Sequence, residues 1–261
     1  MLTLYEHPLS AYAMKVKMAL LEKGLEFKAI LPEGMANGTA GGAFVEASPR
    51  AEIPALIDGD VKVFDSTIIL EYLEDKWPDP PLLPHGAAQR ARVRMIEDVM
   101  DSLYEPNNWG VMEVTRFKRA SGALADELVG YAKSNIDRLQ HWLDGQLAGK
   151  AWFNGDSFGW GDIACAPYIN RSAANGYTPP AGSQLAAWFA RVNQRASVAK
   201  VIAQMHEVLA NLPDFPTLLA QGKIKRQYRD HRLEWMIAAG GLAVVQEGIE
   251  KGTVRFSRIP G

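Results

Sequence analysis

Ser10 stands where a short apolar stretch, Leu2-Thr3-Leu4-Tyr5, has passed a Pro8 turn and a helix-period run begins. A hydroxyl there falls at a helix N-terminus, where backbone N–H groups and the helix dipole favour negative charge. Such a site can hold a thiolate. Residues 51–76 supply a second half. In Ala51-Glu52-Ile53-Pro54-Ala55-Leu56 the proline precedes a strand pattern, and proline at such a bend is a candidate for a cis peptide. The bend leaves the backbone N–H and C=O of Ile53 outside the sheet, where they can pair with an extended peptide ligand. Asp65-Ser66 opens the next helix. Ser66 can cap it, the N–H groups suit a ligand carboxylate, and Asp65 can receive an ammonium. Together these residues offer a hydroxyl, a peptide-docking edge and a carboxylate/ammonium clamp.

The elements that must position them follow from the pattern. Leu2–Tyr5 reads as a strand, Ala11–Lys23 as a helix stopped by Gly24, and Leu25–Ile30 as a second strand. Residues 33–43, rich in Gly and Ala, read as a loop with a short helix nearby. Ala55–Ile57 and Val61–Phe64 flank Asp58-Gly59-Asp60, a hairpin signal. A helix from Ser66 to about Lys76 completes a small α/β domain with a mixed sheet. Four prolines in Trp77–Pro84 read as an interdomain linker. After it the chain turns helical: Ala87–Arg119 fits one or two long helices, followed by Ala123–Leu147, Trp160–Ala174, Gln184–Gln194 and Ser197–Ala210. Beyond them Leu233–Glu250 reads as an apolar helix interrupted at Gly240-Gly241, and Thr253–Phe256 as a short strand. The expected fold is therefore α/β followed by all-α, with units at 1–77, 86–210 and an extension at 211–261.

At this point several segments match one pattern together. They are the helix-1 serine, the proline after Ile53, the Asp65-Ser66 pair, and Glu71-Tyr72-Leu73 before a Pro-rich linker. In that order and spacing, residues 1–76 resemble the thioredoxin-like glutathione-binding domain of cytosolic glutathione transferases. Residues 86–210 resemble that family's helical domain. The resemblance implies a serine-type (theta- or phi-like) enzyme in which Ser10 donates a hydrogen bond to the glutathione sulfur. It implies that Ile53 pairs with the cysteinyl backbone of glutathione, next to Pro54, and that Asp65 and Ser66 bind its γ-glutamyl end. Glutathione is then a cosubstrate, no metal is needed, and a homodimer is expected. The long extension and Phe158-Gly159-Trp160 are similar to features of the bacterial β-etherase and glutathione-lyase group. The thiol-reducing branch of that group carries cysteine where Ser10 stands.

Three positions depart from the family pattern. Glu52 replaces the usual Lys or Gln that reaches the glycine carboxylate, so another cation such as Arg50 is needed, or that end binds differently. Asp65 replaces the usual Glu or Gln. Gly159 stands where a Ser or Thr normally caps the helix that contains Asp162, and glycine there costs a few tenths of a kcal/mol (roughly).

The second substrate meets Tyr104, Asn108, Trp109, Met112 and Arg116, on or near the helix that faces the sulfur in the family, with Tyr12 from helix 1. Their mix suits an aromatic or otherwise apolar electrophile with polar groups to orient it. The expected reaction is attack of the thiolate at an electrophilic carbon, by conjugation or by displacement of a halide or aryl ether. The alternatives are a dehalogenase or isomerase on the same scaffold, or a non-enzymatic binding or regulatory protein of this fold. Tyr5 is the competing thiolate donor, although it reads as a packing residue.

Other features point elsewhere or to structure. Gly155-Asp156-Ser157-Phe158-Gly159 matches the nucleophile-elbow spelling but lacks the preceding central strand. The five histidines have no metal-ligand spacing, and His7 reads as a turn residue facing solvent. The lone Cys165 lies in an apolar helix and reads as a buried inert thiol. The net charge of −2 gives no reason to expect nucleic acid, despite the basic run Lys223–Arg229. Charge is uneven: residues 1–82 carry 7 Lys+Arg against 13 Asp+Glu, and residues 213–261 carry 8 against 5. The basic extension can meet the acidic domain of its own or a neighbouring chain. It can cover the electrophile pocket or wrap a partner. No secretory signal or membrane-spanning run is apparent, so a soluble cytoplasmic protein is expected.

Overall fold

The computed structural model describes residues 1–225 and 230–254. The basic run at 223–229 and the alternating 253–256 stretch therefore lie partly outside the described residues. Strand β1 (Leu2–Tyr5) leads to helix α1 (Ala11–Glu22), β2 (Phe27–Ile30), α2 (Gly42–Ala47), the hairpin β3 (Ala55–Asp58) and β4 (Val61–Phe64), and α3 (Ser66–Lys76). The sheet order is β2-β1-β3-β4. β1 runs parallel to β2 and antiparallel to β3, with Leu4 opposite Leu56. The parallel pair needs a crossover, and α1 supplies it. Its face of Ala13, Met14, Val16, Ala19 and Leu20 is buried. Gly59 takes φ 59° at the hairpin turn, a conformation glycine adopts without a Cβ clash. This is a thioredoxin-like domain.

A helical domain follows. It comprises α4 (Ala87–Val99), a π-helical turn (Met100–Tyr104), α5 (Glu105–Thr115), α6 (Gly122–Leu147), α7 (Trp160–Ala174), α8 (Gln184–Val192) and α9 (Ala196–Ala210). The one or two long helices expected over 87–119 are two, α4 and α5, joined directly by the π-helical turn and ending at Thr115. Pro106 is the physical reason: it has no N–H for the carbonyl four residues back, and the ladder slips there. The extension adds α10 (Phe215–Ala220), α11 (Asp230–Ala238) and α12 (Leu242–Glu250). The break between the last two falls at Gly240-Gly241, as expected.

One apolar core runs through both domains. Leu4, Leu20 and Leu56 belong to the same buried cluster as Met100, Trp160 and Tyr168. The Pro-rich segment is fixed rather than loose. Lys23 donates to the Trp77 and Pro80 carbonyls and pairs with Glu74, whose carboxylate accepts from Leu82 and Leu83.

The start of α7 corrects the sequence reading of Gly159. A Cβ there would lie 2.3 Å from the Leu82 carbonyl oxygen and closer still to Asn154. Glycine is required by close approach, not merely tolerated. Asn154 does the work of the missing cap: its Oδ1 accepts from Gly161 N and its Nδ2 donates to Leu82 O. Asp162 accepts from Gly159 N at 3.0 Å, the structural role expected of it.

The extension packs on α5 through α11. Gly110 makes this possible, because a Cβ there would fall 2.3 Å from the Trp235 ring. Trp235 also donates to Asn107 Oδ1 at 2.9 Å, and Arg232 pairs with Glu105 at 2.8 Å.

Candidate active site

Ser10 is the N-cap of α1, with φ −86° and ψ 107°. Its Oγ accepts from Ala13 N at 3.3 Å. That bond uses an oxygen lone pair, so the hydroxyl proton remains for an outside acceptor. Ser10, Ala11 and Tyr12 all line a cavity of about 390 Å³ between the two domains. This is within the usual range for small-molecule sites, about 300–1,000 Å³.

Two competing phenols are placed differently. Tyr5 packs its ring 5.2 Å from Phe44 and does not line this cavity. Tyr12 lines it, but its OH donates to the Asp101 carbonyl at 2.9 Å. A third phenol, Tyr168 of α7, also lines the cavity and donates to Asp101 Oδ1 at 2.5 Å. Burial and the neighbouring Asp101 charge push the Tyr168 phenol well up. Asp101 lies in the π-helical turn and pairs with the fully buried Lys15 at 2.6 Å, as does Glu97 at 2.7 Å. Burial raises the Asp101 carboxyl to about 6 despite that pairing. The network fixes α1 against α4 and the π-helical turn directly behind the Ser10 turn.

On the thioredoxin-like side, Ile53 and Glu52 line the cavity. The Ile53-Pro54 peptide is cis, and the β3 ladders begin at Ala55, so Ile53 stands outside them. Pro54 itself is buried and does not reach the cavity wall. Glu52 N donates to Ser48 Oγ at 3.1 Å.

The helix-3 cap differs from the sequence reading. Asp65, not Ser66, caps α3, with Oδ1 accepting from Thr67 N at 3.0 Å and Ile68 N at 3.3 Å. Asp65 comes first in the chain and claims the cap, leaving Ser66 as the first helical residue, 4% exposed. Asp65 holds a φ of +75°, an uncommon backbone for a residue with a Cβ. Asp65 and Ser66 do not line the cavity.

The helical side brings together Asn108, Trp109 and Met112 on the cavity wall. Asn108 is tied by its own bonds, donating to Tyr168 O and accepting from Ser172 Oγ. Tyr104 is a correction: it is fully buried in the interdomain core, with its phenol pushed to about 12 by burial, and does not line the cavity. It points away because the π-helical turn rotates it off the face of α5. Arg116 is an exposed cap residue away from this cavity. His7 is another correction. It lines the cavity, its Nδ1 accepts from Leu9 N at 3.0 Å, and burial together with Arg171 lowers its pKa below the ordinary histidine value. Cys165 is buried as expected, and burial pushes its thiol well up.

Sequence reasoning missed Tyr168 and Arg171 of α7 and Glu105 of α5. It also missed Met35, Phe215, Lys225 and Arg232. A signal existed for Arg171: it is an isolated cation in the otherwise apolar Trp160–Ala174 helix. None existed for the extension residues, which are placed by contacts with distant segments: Phe215 stacks on Phe117, Lys225 N donates to Ala36 O, and Arg232 sits on α11, docked at Gly110. Phe215, Ile224, Lys225 and Arg232 of the extension line the cavity.

A thioredoxin-like domain joined to a helical bundle, with a helix-capping hydroxyl facing a cleft beside a cis-proline edge, defines a thiol-peptide-binding class of protein. Comparison with known proteins agrees. The family model "Glutathione S-transferase, N-terminal domain" matches residues 4–81, and "Glutathione S-transferase, C-terminal domain" matches residues 113–191. Glutathione S-transferase 1 of Dianthus caryophyllus is 32% identical over 169 residues, 64% of this chain and 75% of its own. A stringent starvation protein A homolog of Haemophilus ducreyi is 29% identical over 207 residues, 77% of this chain and 89% of its own. Among solved structures, a glutathione S-transferase from Rhodospirillum rubrum superposes with a TM-score of 0.66 at 27% identity, covering 77% of this chain and 91% of that one. The chain belongs to the glutathione S-transferase family of enzymes.

Proposed function

We propose that this enzyme activates the glutathione thiol with Ser10 and directs it at a hydrophobic, aromatic electrophile. The observation that carries the reading is the Ser10 hydroxyl. Its oxygen accepts from Ala13 N and the residue lines the cavity, while Tyr12 and Tyr168 both donate to Asp101. A thiolate there gains a charge-assisted hydrogen bond and the positive end of α1. The cis bend at Ile53 offers backbone to the cysteinyl part of glutathione. Asp65 keeps Oδ2 for the γ-glutamyl ammonium while Oδ1 caps α3. Its positive φ supports this role, since strained backbone concentrates at ligand-binding positions. Aromatic walls from Tyr12, Trp109, Phe117 and Tyr168 suit a flat apolar electrophile.

The test is the ultraviolet thiolate absorbance of bound glutathione against pH, with conjugation of chlorodinitrobenzene measured alongside. A bound thiol pKa below the free value of about 8.5 and a turnover dependent on glutathione are expected. Binding with an unshifted pKa and no turnover would favour a second reading, a non-enzymatic regulator. Glu52 on the cavity wall and the stringent starvation relatives are what keep that reading in view.

The reading includes a homodimer. Ile68 of α3, Met95 of α4 and Leu103 of the π-helical turn are each more than half exposed, and the Arg94–Glu71 bridge locks α3 to α4 beside them. Apolar side chains from both domains on one side suit a self-complementary contact. Sedimentation should give twice the chain mass, and Leu103→Arg should give the single-chain mass. A monomeric wild type would reject this part.

A further inference from the structure

We propose that His7 is a catalytic hydrogen-bond donor, its Nε2–H directed at the carbonyl oxygen of an aromatic conjugated ketone to whose β-carbon the glutathione sulfur adds. This names a class of electrophile and rests on the proposed reading of Ser10 as the donor to the thiolate. His7 and Ser10 line one cavity and belong to one turn, in which Ser10 N donates to the His7 carbonyl at 2.8 Å. His7 Nδ1 accepts from Leu9 N at 3.0 Å. A ring nitrogen that accepts carries no proton, so the imidazole is the neutral tautomer with its hydrogen on Nε2. Among the described residues, the Leu9 contact is the one hydrogen bond that the ring makes. Burial is the main cause that lowers the His7 pKa, with Glu6 acting against it and Arg171 of α7 with it, in keeping with a neutral ring. The two phenols on the same wall, Tyr12 and Tyr168, direct their hydroxyls at Asp101.

Holding the turn needs an acceptor at the Nδ1 position and nothing at Nε2. Asparagine serves that purpose, since its amide oxygen accepts from the backbone two residues on. The imidazole adds an N–H at its far edge. A neutral imidazole of fixed tautomer can polarise a carbonyl and hold the oxygen as it gains charge. Addition suits such a donor better than displacement. A leaving group departs as its charge builds, whereas the oxygen of a conjugated ketone stays joined to the attacked carbon through the substrate's own chain. A donor and a thiolate held on one turn can then meet both ends of the same rigid unit. The aryl group has the aromatic walls of Trp109, Phe117 and Phe215. In the step itself the sulfur–carbon bond forms at the β-carbon, the carbon–carbon π pair shifts to give an enolate, and the charge falls on the oxygen that Nε2–H meets. The α-carbon then takes a proton from solvent, which balances the thiol proton released to solvent, and Nε2 keeps its own.

The test compares benzylideneacetone, which adds the thiol, with nitrobenzyl chloride, which loses chloride. His7→Asn keeps the turn acceptor and loses the far N–H. In that variant the ratio of ketone to chloride turnover should fall about tenfold to a hundredfold, the worth of one hydrogen bond to a charged acceptor. His7→Gln, whose amide N–H reaches further, should recover part of the ratio. The thiol pKa of bound glutathione should be the same in all three chains. A ratio unchanged in His7→Asn, or a thiol pKa that moves with it, would overturn the inference. A second readout needs no thiolate. The infrared carbonyl stretch of benzylacetone, the unreactive saturated analogue, should be lowered on binding to wild type without glutathione and should return towards its free value in His7→Asn. An unshifted stretch in wild type overturns the inference by itself. A failure of Ser10 activation appears differently, as an unshifted thiol pKa and no turnover of nitrobenzyl chloride, with the carbonyl stretch still lowered.

Discussion

Ser10→Ala is expected to return the thiol of bound glutathione towards its free pKa of about 8.5 and to slow conjugation about tenfold to a hundredfold near neutral pH. The magnitude comes from one hydrogen bond to a charged acceptor, about 1.5–3 kcal/mol. At about 1.36 kcal/mol per pKa unit this is one to two units, and the thiolate fraction below the pKa falls by the same factor. The sign with pH is fixed. The thiolate is the nucleophile, so activity rises as pH passes through the bound pKa. In the variant that rise moves to higher pH, so the deficit is largest in acid and neutral solution and shrinks above about pH 8.5. The α1 N-terminus survives the substitution, and helix-1 amides keep part of the depression. Glutathione should still bind, because Ile53 and Asp65 are untouched. A variant that binds glutathione with an unchanged thiol pKa would exclude Ser10 as the activating hydroxyl. A gain in depression on replacing Tyr12 by phenylalanine has no place in this account, since the Tyr12 hydroxyl already donates to Asp101 O.

Much of the scaffold was legible because its signals are local. Ser10, the Asp58-Gly59-Asp60 turn and the Trp160–Ala174 helix each follow from a few adjacent residues, and the structure has them at or near the expected bounds. The cis bond before Pro54 is likewise a local property of one dipeptide. The misses are non-local. Whether Asp65 or Ser66 caps α3 depends on one backbone angle that the sequence does not display. Tyr104 is expected on the pocket because it lies on or near the helix that faces the sulfur in the family, but it falls in the π-helical turn and is fully buried. His7 was expected in solvent because the turn it occupies looked exposed, but α7 lies against it with Arg171. The docking of α11, which carries Arg232 to the cavity, depends on Gly110 admitting Trp235, two positions 125 residues apart by their numbers. No window along the chain joins them.

Asp162→Ala is the substitution expected to damage folding most. Its carboxylate is fully buried and accepts from three donors on three segments: Phe153 N at 2.9 Å, Gly159 N at 3.0 Å and Trp188 Nε1 at 2.7 Å. It therefore ties the loop before α7, the α7 cap and α8 to one point. Alanine removes all three acceptors at once and leaves the donors in a site without water access. Each orphaned buried donor costs about 1–3 kcal/mol, and neighbouring losses do not add fully, so roughly 3–5 kcal/mol is expected. For a chain of this size that lowers Tm by roughly 10 °C. Asp156, six residues earlier, carries the contrast. It is a surface residue paired with Lys150 at 3.1 Å, and Asp156→Ala should change stability by less than about 0.5 kcal/mol. The pH dependence gives a second readout. Burial raises the Asp162 carboxyl from 3.8 to about 6, against the pull of its donors. Between those values the folded chain keeps a proton that the unfolded chain has released. The stability this group contributes is therefore present below 3.8 and is lost as pH rises to about 6. The variant has no such group, so the gap between wild type and Asp162→Ala should narrow across that window and stay constant above it. Thermal unfolding of both chains at several pH values measures size and slope together. A loss under about 1 kcal/mol, within the range of an ordinary surface substitution, would show that α7 and α8 are held by apolar packing alone, with Trp188 needing no acceptor.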